Sequence, residues 1–338
     1  MADLLRWGIL GTGNIAKQFA AGMATSRRGR VVAVGSRSGE TASAFARQFS
    51  LNAAHAKYEA LLNDPQVDAI YLSLPNSMHH EWTLKALAAG KHVLCEKPMA
   101  SNAAQAAEMF QAAKSAGKLL VEAFMYRSHP QTQAVLKAIR SGRIGEIRAI
   151  KTSFCYRTTK LVDNIRFRAD LAGGSMMDVG CYCLDFARLV TGEEPRSVLA
   201  TGRLHSSGVD ECAAGTLHFP SGVLATFVCG MTLQADNSAY VCGAEGYVHI
   251  PIPWKPPRPS VYHIAYSTPP RQDVASGMPV RPPKEDFTVE SPAELYALEA
   301  DDFAAALKGE IPPAISAEQS IGNMRVLDEI RKQIGLKF

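Results

Sequence analysis

A short apolar stretch, Leu5 to Leu10, runs directly into Gly11-Thr12-Gly13-Asn14-Ile15-Ala16 and then into a helical pattern lasting to about Thr25. Few folds use strand, glycine turn and helix in that order. The first glycine makes the turn, the second lets a bulky anionic group approach the backbone, and the small third position lets helix and strand pack closely. The helix amino terminus adds N–H donors and partial positive charge. The pattern predicts a dinucleotide pyrophosphate seated on Gly11, Gly13, Asn14 and Ile15.

A second strand, Arg30 to Ser36, ends in Ser36-Arg37-Ser38. A carboxylate at this point accepts from a ribose 2′-hydroxyl and repels a 2′-phosphate. Here the first acid is Glu40, whereas Arg37 offers a planar fork and Ser36 and Ser38 offer hydroxyls suited to phosphate oxygens. NADP is therefore the expected cofactor, with NAD the alternative if Arg37 is a solvated loop residue. Strands and helices go on alternating: 53–56, a short helix from Tyr58, a strand 68–74, a helix 77–89, a strand 91–95, a helix 101–116 and a strand 118–124. That rhythm predicts a doubly wound parallel Rossmann sheet over residues 1–124.

After Phe124 the pattern changes. A helix, 130–141, leads to a long strand, 146–156; Gly173-Gly174-Ser175 opens a helix, 176–191; and strand-like stretches follow at hairpin spacing, 198–204, 214–219, 223–231 and 239–250. Residues 125–338 are thus expected to form an α+β domain with an open, largely antiparallel sheet. The segment 251–283 holds about half the prolines and is read as a meander or edge cover without ladder pairing. Two helices, 292–308 and 316–334, close the chain.

The apolar run ending at Cys95 stops abruptly at Glu96-Lys97-Pro98, which puts two charges at the carboxyl end of a strand, where open α/β sheets bind ligands. On the helix after Gly174, Asp178 and Tyr182 are four apart and share a face, with Asp185 on the next turn. An acid and a phenol on an otherwise apolar helix suit general acid–base chemistry. Tyr182 would need its pKa lowered by roughly 2 to 3 units, about 3 to 4 kcal/mol, for which Lys97 and a bound nicotinamide are candidate cations. A Tyr and an Asp satisfied at a domain boundary would give the same spacing. His79 and His80 start a helix with no carboxylate or cysteine at ligand spacing, so no metal is expected.

With these residues in view, the chain resembles the glucose-fructose oxidoreductase, inositol dehydrogenase and MocA family over nearly its whole length. The likeness rests on Gly11 to Ala16, Pro75-Asn76-Ser77-Met78-His79, Glu96-Lys97-Pro98 and Gly173 to Tyr182. It implies cofactor contacts from Pro75, Asn76, His79, Glu96 and Lys97, a commonly cis proline, and an exposed sheet face that often forms a dimer. It also implies that Lys97 orients substrate and lowers the pKa of the acid–base residue Tyr182, while Asp178 orients substrate. Tyr at position 182, where inositol dehydrogenases have His, resembles the branch with NADP-dependent D-xylose dehydrogenase and dimeric dihydrodiol dehydrogenase. Glu122 to Gln131 and Asn164-Ile165-Arg166 also resemble that branch. They imply Arg127, Asn164 and Arg166 in a polyol pocket; the alternative is that the arginines brace the domain interface. For Glu96, pairing with Lys97 and positioning of the loop both remain open.

The resemblance implies an oxidoreductase moving a hydride between nicotinamide and a sugar or polyol carbinol, with an aldose such as xylose as first substrate. A nucleotide-sugar ketoreductase, a trans-dihydrodiol dehydrogenase and a non-catalytic NADP-binding regulator are the alternatives. Composition narrows the partners. A formal net charge of +4 over 338 residues, spread along the chain, implies neither nucleic acid nor an anionic membrane. No apolar run approaches the roughly 20 residues of a membrane span, and no export signal is recognised. Seven cysteines without a C-x-x-C pair suggest reduced thiols, hence the cytoplasm.

Overall fold

The computed structural model describes residues 4–266 and 282–336. Strands β1 (Leu5–Leu10), β2 (Gly29–Gly35), β3 (Ala53–His55), β4 (Ala69–Leu72), β5 (His92–Glu96) and β6 (Leu120–Ala123) form one sheet, in spatial order β3-β2-β1-β4-β5-β6. Every pairing is parallel. The order reverses between β1 and β4, which opens a crevice at the carboxyl ends of those strands. Helices α1 (Asn14–Gly22), α2 (Gly39–Phe49), α3 (Tyr58–Leu62), α4 (His79–Ala88) and α5 (Ala103–Ala116) make the crossovers. Trp7, Ile9 and Leu10 are fully buried, as a strand covered on both faces requires.

The second sheet has eight strands: β7 (Ile147–Cys155), β8 (Ser197–Leu204), β9 (Asp210–His218), β10 (Leu224–Gly230), β11 (Ala239–Gly243), β12 (Gly246–Ile250), β13 (Ser260–Tyr266) and β14 (Lys284–Val289). Their order is β14-β13-β12-β11-β7-β10-β9-β8, antiparallel except where β10 runs parallel to β7. Helices α6 (Pro130–Arg140) and α7 (Cys181–Thr191) pack against β-strands of this sheet. The two expected sheets are therefore present.

One expectation fails here. The proline-rich segment was read as unable to pair, yet β13 pairs with both β12 and β14. The prolines between 251 and 259 all precede it, and β13 itself, Ser-Val-Tyr-His-Ile-Ala-Tyr, has a donor at every position. The remainder of that reading, 267–281, lies outside the described residues.

Helix α8 (Leu295–Leu307) returns to the first sheet. Phe303 packs on Trp7 with ring centroids 5.0 Å apart. Asp301 accepts from the Ser26 hydroxyl and from the main-chain N–H groups of Arg27 and Arg28. Helix α9 (Ala317–Gln333), started by a reciprocal capping box between Ser316 and Gln319, packs on α5 and α7 and so ties the two sheets together. The chain thus passes between the two sheets more than once, and the cavity between them has walls from both.

Candidate active site

A cavity of about 550 Å³ opens at the carboxyl edge of the first sheet. Gly13, Asn14, Ile15 and Gln18 line it from α1, Asn76, His79, Glu96 and Lys97 from the later turns, and Tyr156, Arg166, Asp178 and Tyr182 from the second half. Gly11 sits at φ +110°, a conformation that strains a side chain, and a Cβ there would lie 3.1 Å from Ser73. Gly13 has the opposite property: a Cβ built on it meets nothing within 4 Å. Helix α1 has no side-chain cap and no acid in its first turn, so its N–H donors face open space. These residues fit a dinucleotide pyrophosphate. At the end of β2, Arg37 is exposed and near the Tyr58 phenol, Ser38 caps α2 through the Thr41 N–H, and the Ser36 hydroxyl accepts from the Ser38 N–H at 3.4 Å.

Glu96 and Lys97 part company at the end of β5. The Glu96 carboxylate, 6% exposed, accepts from the Tyr71 hydroxyl and, at 3.3 Å, from the Lys97 main-chain N–H. It therefore sits against the loop's main chain, while the Lys97 side chain turns the other way; the Lys97–Pro98 bond is cis. Its Nζ donates to the main-chain oxygen of Asp178 at 2.7 Å and stands 3.4 Å from the carboxylate. His79 is buried, with Nδ1 2.9 Å from the Pro98 oxygen and Nε2 2.9 Å from the Leu74 oxygen. Burial pushes its pKa down to about 4. A neutral imidazole carries one N–H, so it satisfies one of these carbonyls at a time.

Asp178 lies in a five-residue π-helical turn, Met176–Gly180, that precedes α7. Such turns interrupt the regular spacing of an α-helix and are frequent at functional sites. Asp210 of β9 fixes the start of this turn, accepting from the Ser175 hydroxyl at 2.6 Å and the Met176 N–H at 2.7 Å. Gly174, at φ +112°, has no room for a Cβ, which would meet an Asp210 oxygen at 2.1 Å. The Gly174 N–H also holds the Arg166 carbonyl at 2.8 Å, which brings the 164–168 loop onto the helix. Arg166 Nε then reaches Asp178 Oδ2 at 2.8 Å, where the Tyr156 hydroxyl also donates at 2.6 Å. Burial alone would raise the Asp178 pKa, but Lys97 and Arg166 outweigh it and bring it down to about 2. The carboxylate is ionised throughout the working range of an enzyme.

Tyr182 stands beside this cluster, 3% exposed, with its hydroxyl donating to Met125 Sδ at 3.3 Å. The Lys97 ammonium lies over its ring, 5.2 Å from the centroid, and not on its oxygen. Burial, then the Glu96 charge, hold the phenol well above its ordinary range, opposite to the lowering expected from Lys97. The physical reason is burial, which takes the phenol out of water while Lys97 stands over the ring and makes no bond to the oxygen. Asp185 also departs from expectation: it turns away from Tyr182, pairs bidentately with Arg127 and accepts from the Tyr126 hydroxyl.

Two residues expected in the pocket are elsewhere. Arg127 is 4% exposed; besides Asp185 it binds the Ala314 carbonyl and Gln319, all beyond residue 124, so it is held inside the second half. Asn164 points into its own loop, donating to the Lys160 carbonyl and accepting from the Arg166 N–H. Asn76, expected at the cofactor, lines the cavity and donates to the Ala172 carbonyl at 2.9 Å. Sequence reading missed Tyr156, Gln18, Lys255 and Asp210. Tyr156 follows directly on the end of β7 and Asp210 begins β9, so nothing local marks either of them.

A parallel 3-2-1-4-5-6 sheet with an open glycine turn, facing a buried Lys–Asp–Tyr cluster, defines a dinucleotide-dependent oxidoreductase. The chain belongs to the Gfo/Idh/MocA oxidoreductase family: residues 5–124 match the oxidoreductase family with an NAD-binding Rossmann fold, and residues 132–249 match the GFO/IDH/MocA C-terminal domain. It is 33% identical to trans-1,2-dihydrobenzene-1,2-diol dehydrogenase of Mus musculus, over 99% of this chain and 98% of that one. It is 32% identical to D-xylose 1-dehydrogenase (NADP(+)) 2 of Haloferax volcanii, over 96% of each chain. Among solved structures, the 3-ketoreductase KijD10 of Actinomadura kijaniata, in complex with NADP and TDP-benzene, superposes with a TM-score of 0.86 at 30% identity, covering 98% of each chain. The aldose-aldose oxidoreductase of Caulobacter crescentus gives 0.86 at 27% identity over the same shares.

Proposed function

We propose that the protein is an NADP-dependent dehydrogenase that moves a hydride between the nicotinamide and a carbinol carbon of a sugar or polyol, with an aldose such as xylose the first candidate. The observation that carries this reading is the gathering of Lys97, Tyr156 and Arg166 on Asp178, the last two on one carboxylate oxygen, beside Tyr182, in the cavity that the glycine turn opens. Bound NADP supplies or accepts the hydride. Gly11, Gly13, Asn14 and Ile15 would hold its pyrophosphate, and Ser36, Arg37 and Ser38 its adenosine end.

The chain's own groups handle the proton and the hydroxyls. Because burial keeps the Tyr182 phenol protonated, it is set to donate to a carbonyl oxygen under reduction. Oxidation runs the same step in reverse: Tyr182 first releases its own proton to solvent, and the phenolate, its charge offset by the Lys97 ammonium over the ring, then takes the substrate hydroxyl proton. Asp178, kept ionised, accepts from substrate hydroxyls, and Arg166 donates to them. A second reading, a trans-dihydrodiol substrate, is favoured by the apolar side of the cavity, Met125, Phe154, Ile165 and Leu171, which suits a carbocycle.

The seven free thiols suit a reducing cytoplasm, and the exposed Leu199, Leu224 and Val228 of the second sheet suit a homodimer formed through that face. Assays with NADP⁺ and a panel of free aldoses and dihydrodiols, and with NADPH and nucleotide-linked keto sugars, test the assignment. Turnover of one class identifies the substrate. No turnover of any, with NADPH still bound, would replace the enzyme by a dinucleotide-binding regulator.

A further inference from the structure

The cavity is unevenly charged. Its lining carries three basic side chains, Lys97, Arg166 and Lys255, against two carboxylates, Glu96 and Asp178. Asp178 takes both Lys97 and Arg166, and Glu96 accepts from Tyr71 and a main-chain N–H. Lys255 is left over. Among the described residues its Nζ bonds only the neutral Oε1 of Gln18, at 3.1 Å, with no carboxylate in ion-pair range.

Lys255 is exposed, but the main chain that carries it is anchored on both sides. Immediately before it, Trp254 is 2% exposed, stacks on Phe154 with centroids 5.7 Å apart, and donates Nε1 to the Ser153 carbonyl at 2.8 Å. Beyond it, Arg258 binds Glu294 and the Ser291 carbonyl. Lys255 is therefore carried by an anchored segment between β12 and β13, across the cavity to α1. Gln18 lies one helical turn from Asn14, and its Oε1 also accepts from the Tyr296 hydroxyl. The lysine stands beside the part of α1 that Gly13 leaves open.

We propose that Lys255 is a specificity-determining residue that binds a phosphate group in this cavity, either the cofactor's pyrophosphate or a phosphate carried by the substrate. The inference rests on the NADP reading above. A phosphate oxygen makes a charge-assisted bond stronger than the one from Gln18, and the surplus positive charge of the lining then finds its counter-charge.

The test compares wild type with Lys255→Met and Lys255→Arg, titrating NADPH by fluorescence and measuring KM for a neutral aldose and for phosphorylated or nucleotide-linked sugars. If the cofactor is the source, Lys255→Met weakens NADPH binding about tenfold, less so at high salt, and the neutral-aldose KM holds. If the substrate is the source, NADPH binding holds and activity falls selectively on the phosphorylated sugars. In both cases Lys255→Arg restores most of the loss. Unchanged NADPH binding and unchanged selectivity in Lys255→Met would overturn the role, as would equal losses in the two variants with a lowered melting temperature. Wild-type protein that takes up no NADPH would overturn the functional reading itself, a result distinct from variants that match a wild type that does.

Discussion

Lys97 and Asp178 meet across the boundary between the two sheets, with the ammonium 2.7 Å from the aspartate's main-chain oxygen and 3.4 Å from its carboxylate. The ion pair brings the end of β5 against the π-helical turn before α7, and it holds the Lys97 charge over the face of Tyr182.

Tyr182→Phe removes the proton and little else, since the ring makes edge contacts with Phe124 and Phe154 that phenylalanine keeps. Turnover is expected to fall by about a hundredfold or more, with NADPH affinity unchanged. Near-normal turnover in stopped-flow or steady-state assays would remove Tyr182 from the mechanism.

Arg37 is the exposed cation at the end of β2, where no carboxylate stands. Arg37→Asp is expected to shift preference from NADP toward NAD, by loss of the 2′-phosphate contact and by repulsion of that group. The ratio of kcat/KM for the two cofactors reads this directly, and an unchanged ratio would show that the adenosine end lies elsewhere.

Arg127→Ala strands Asp185, which is fully buried, without its bidentate partner. The cost is expected to be about 3 to 5 kcal/mol of stability, with little change in substrate KM in the protein that remains folded. Denaturant unfolding together with KM distinguishes this from a pocket role, in which KM would rise at near-normal stability.

Glu122 is 2% exposed, its Oε1 accepting from the Met99 N–H, and burial raises its pKa to about 7. A carboxyl raised in the folded state is neutral at no cost below about pH 4.5, and the fold loses stability as pH climbs from there through 7. The full effect is about 3 kcal/mol. Glu122→Gln cannot ionise, so its stability is expected to fall less than that of wild type between pH 5 and 8. Parallel pH profiles for the two proteins would refute the assignment.

Much of the fold was legible because it follows from local rules. G-x-G-x-x-A after a strand, a strand ended by Glu96-Lys97-Pro98 and helices spaced between apolar runs each specify geometry within a few residues of themselves. The second sheet was legible as a set of strands but incompletely so, because the prolines of 251–259 masked the proline-free β13 that follows them.

Sequence by itself determined the dinucleotide turn, the alternation that makes the first sheet parallel, and the acid, lysine and tyrosine that the fold brings to one cavity. Only tertiary structure decided their partners. Nothing within reach of Lys97 along the chain says that its ammonium goes to Asp178, 81 residues away, and not to Glu96 or the Tyr182 hydroxyl. Arg127 was drawn out of the pocket by a carboxylate 58 residues later, and Lys255 was brought into it by the burial of Trp254. The physical reason is the same each time. A charged group takes the partner that the packing of the two sheets brings within reach, and a buried one such as Arg127 must find a counter-charge there, which no local pattern records.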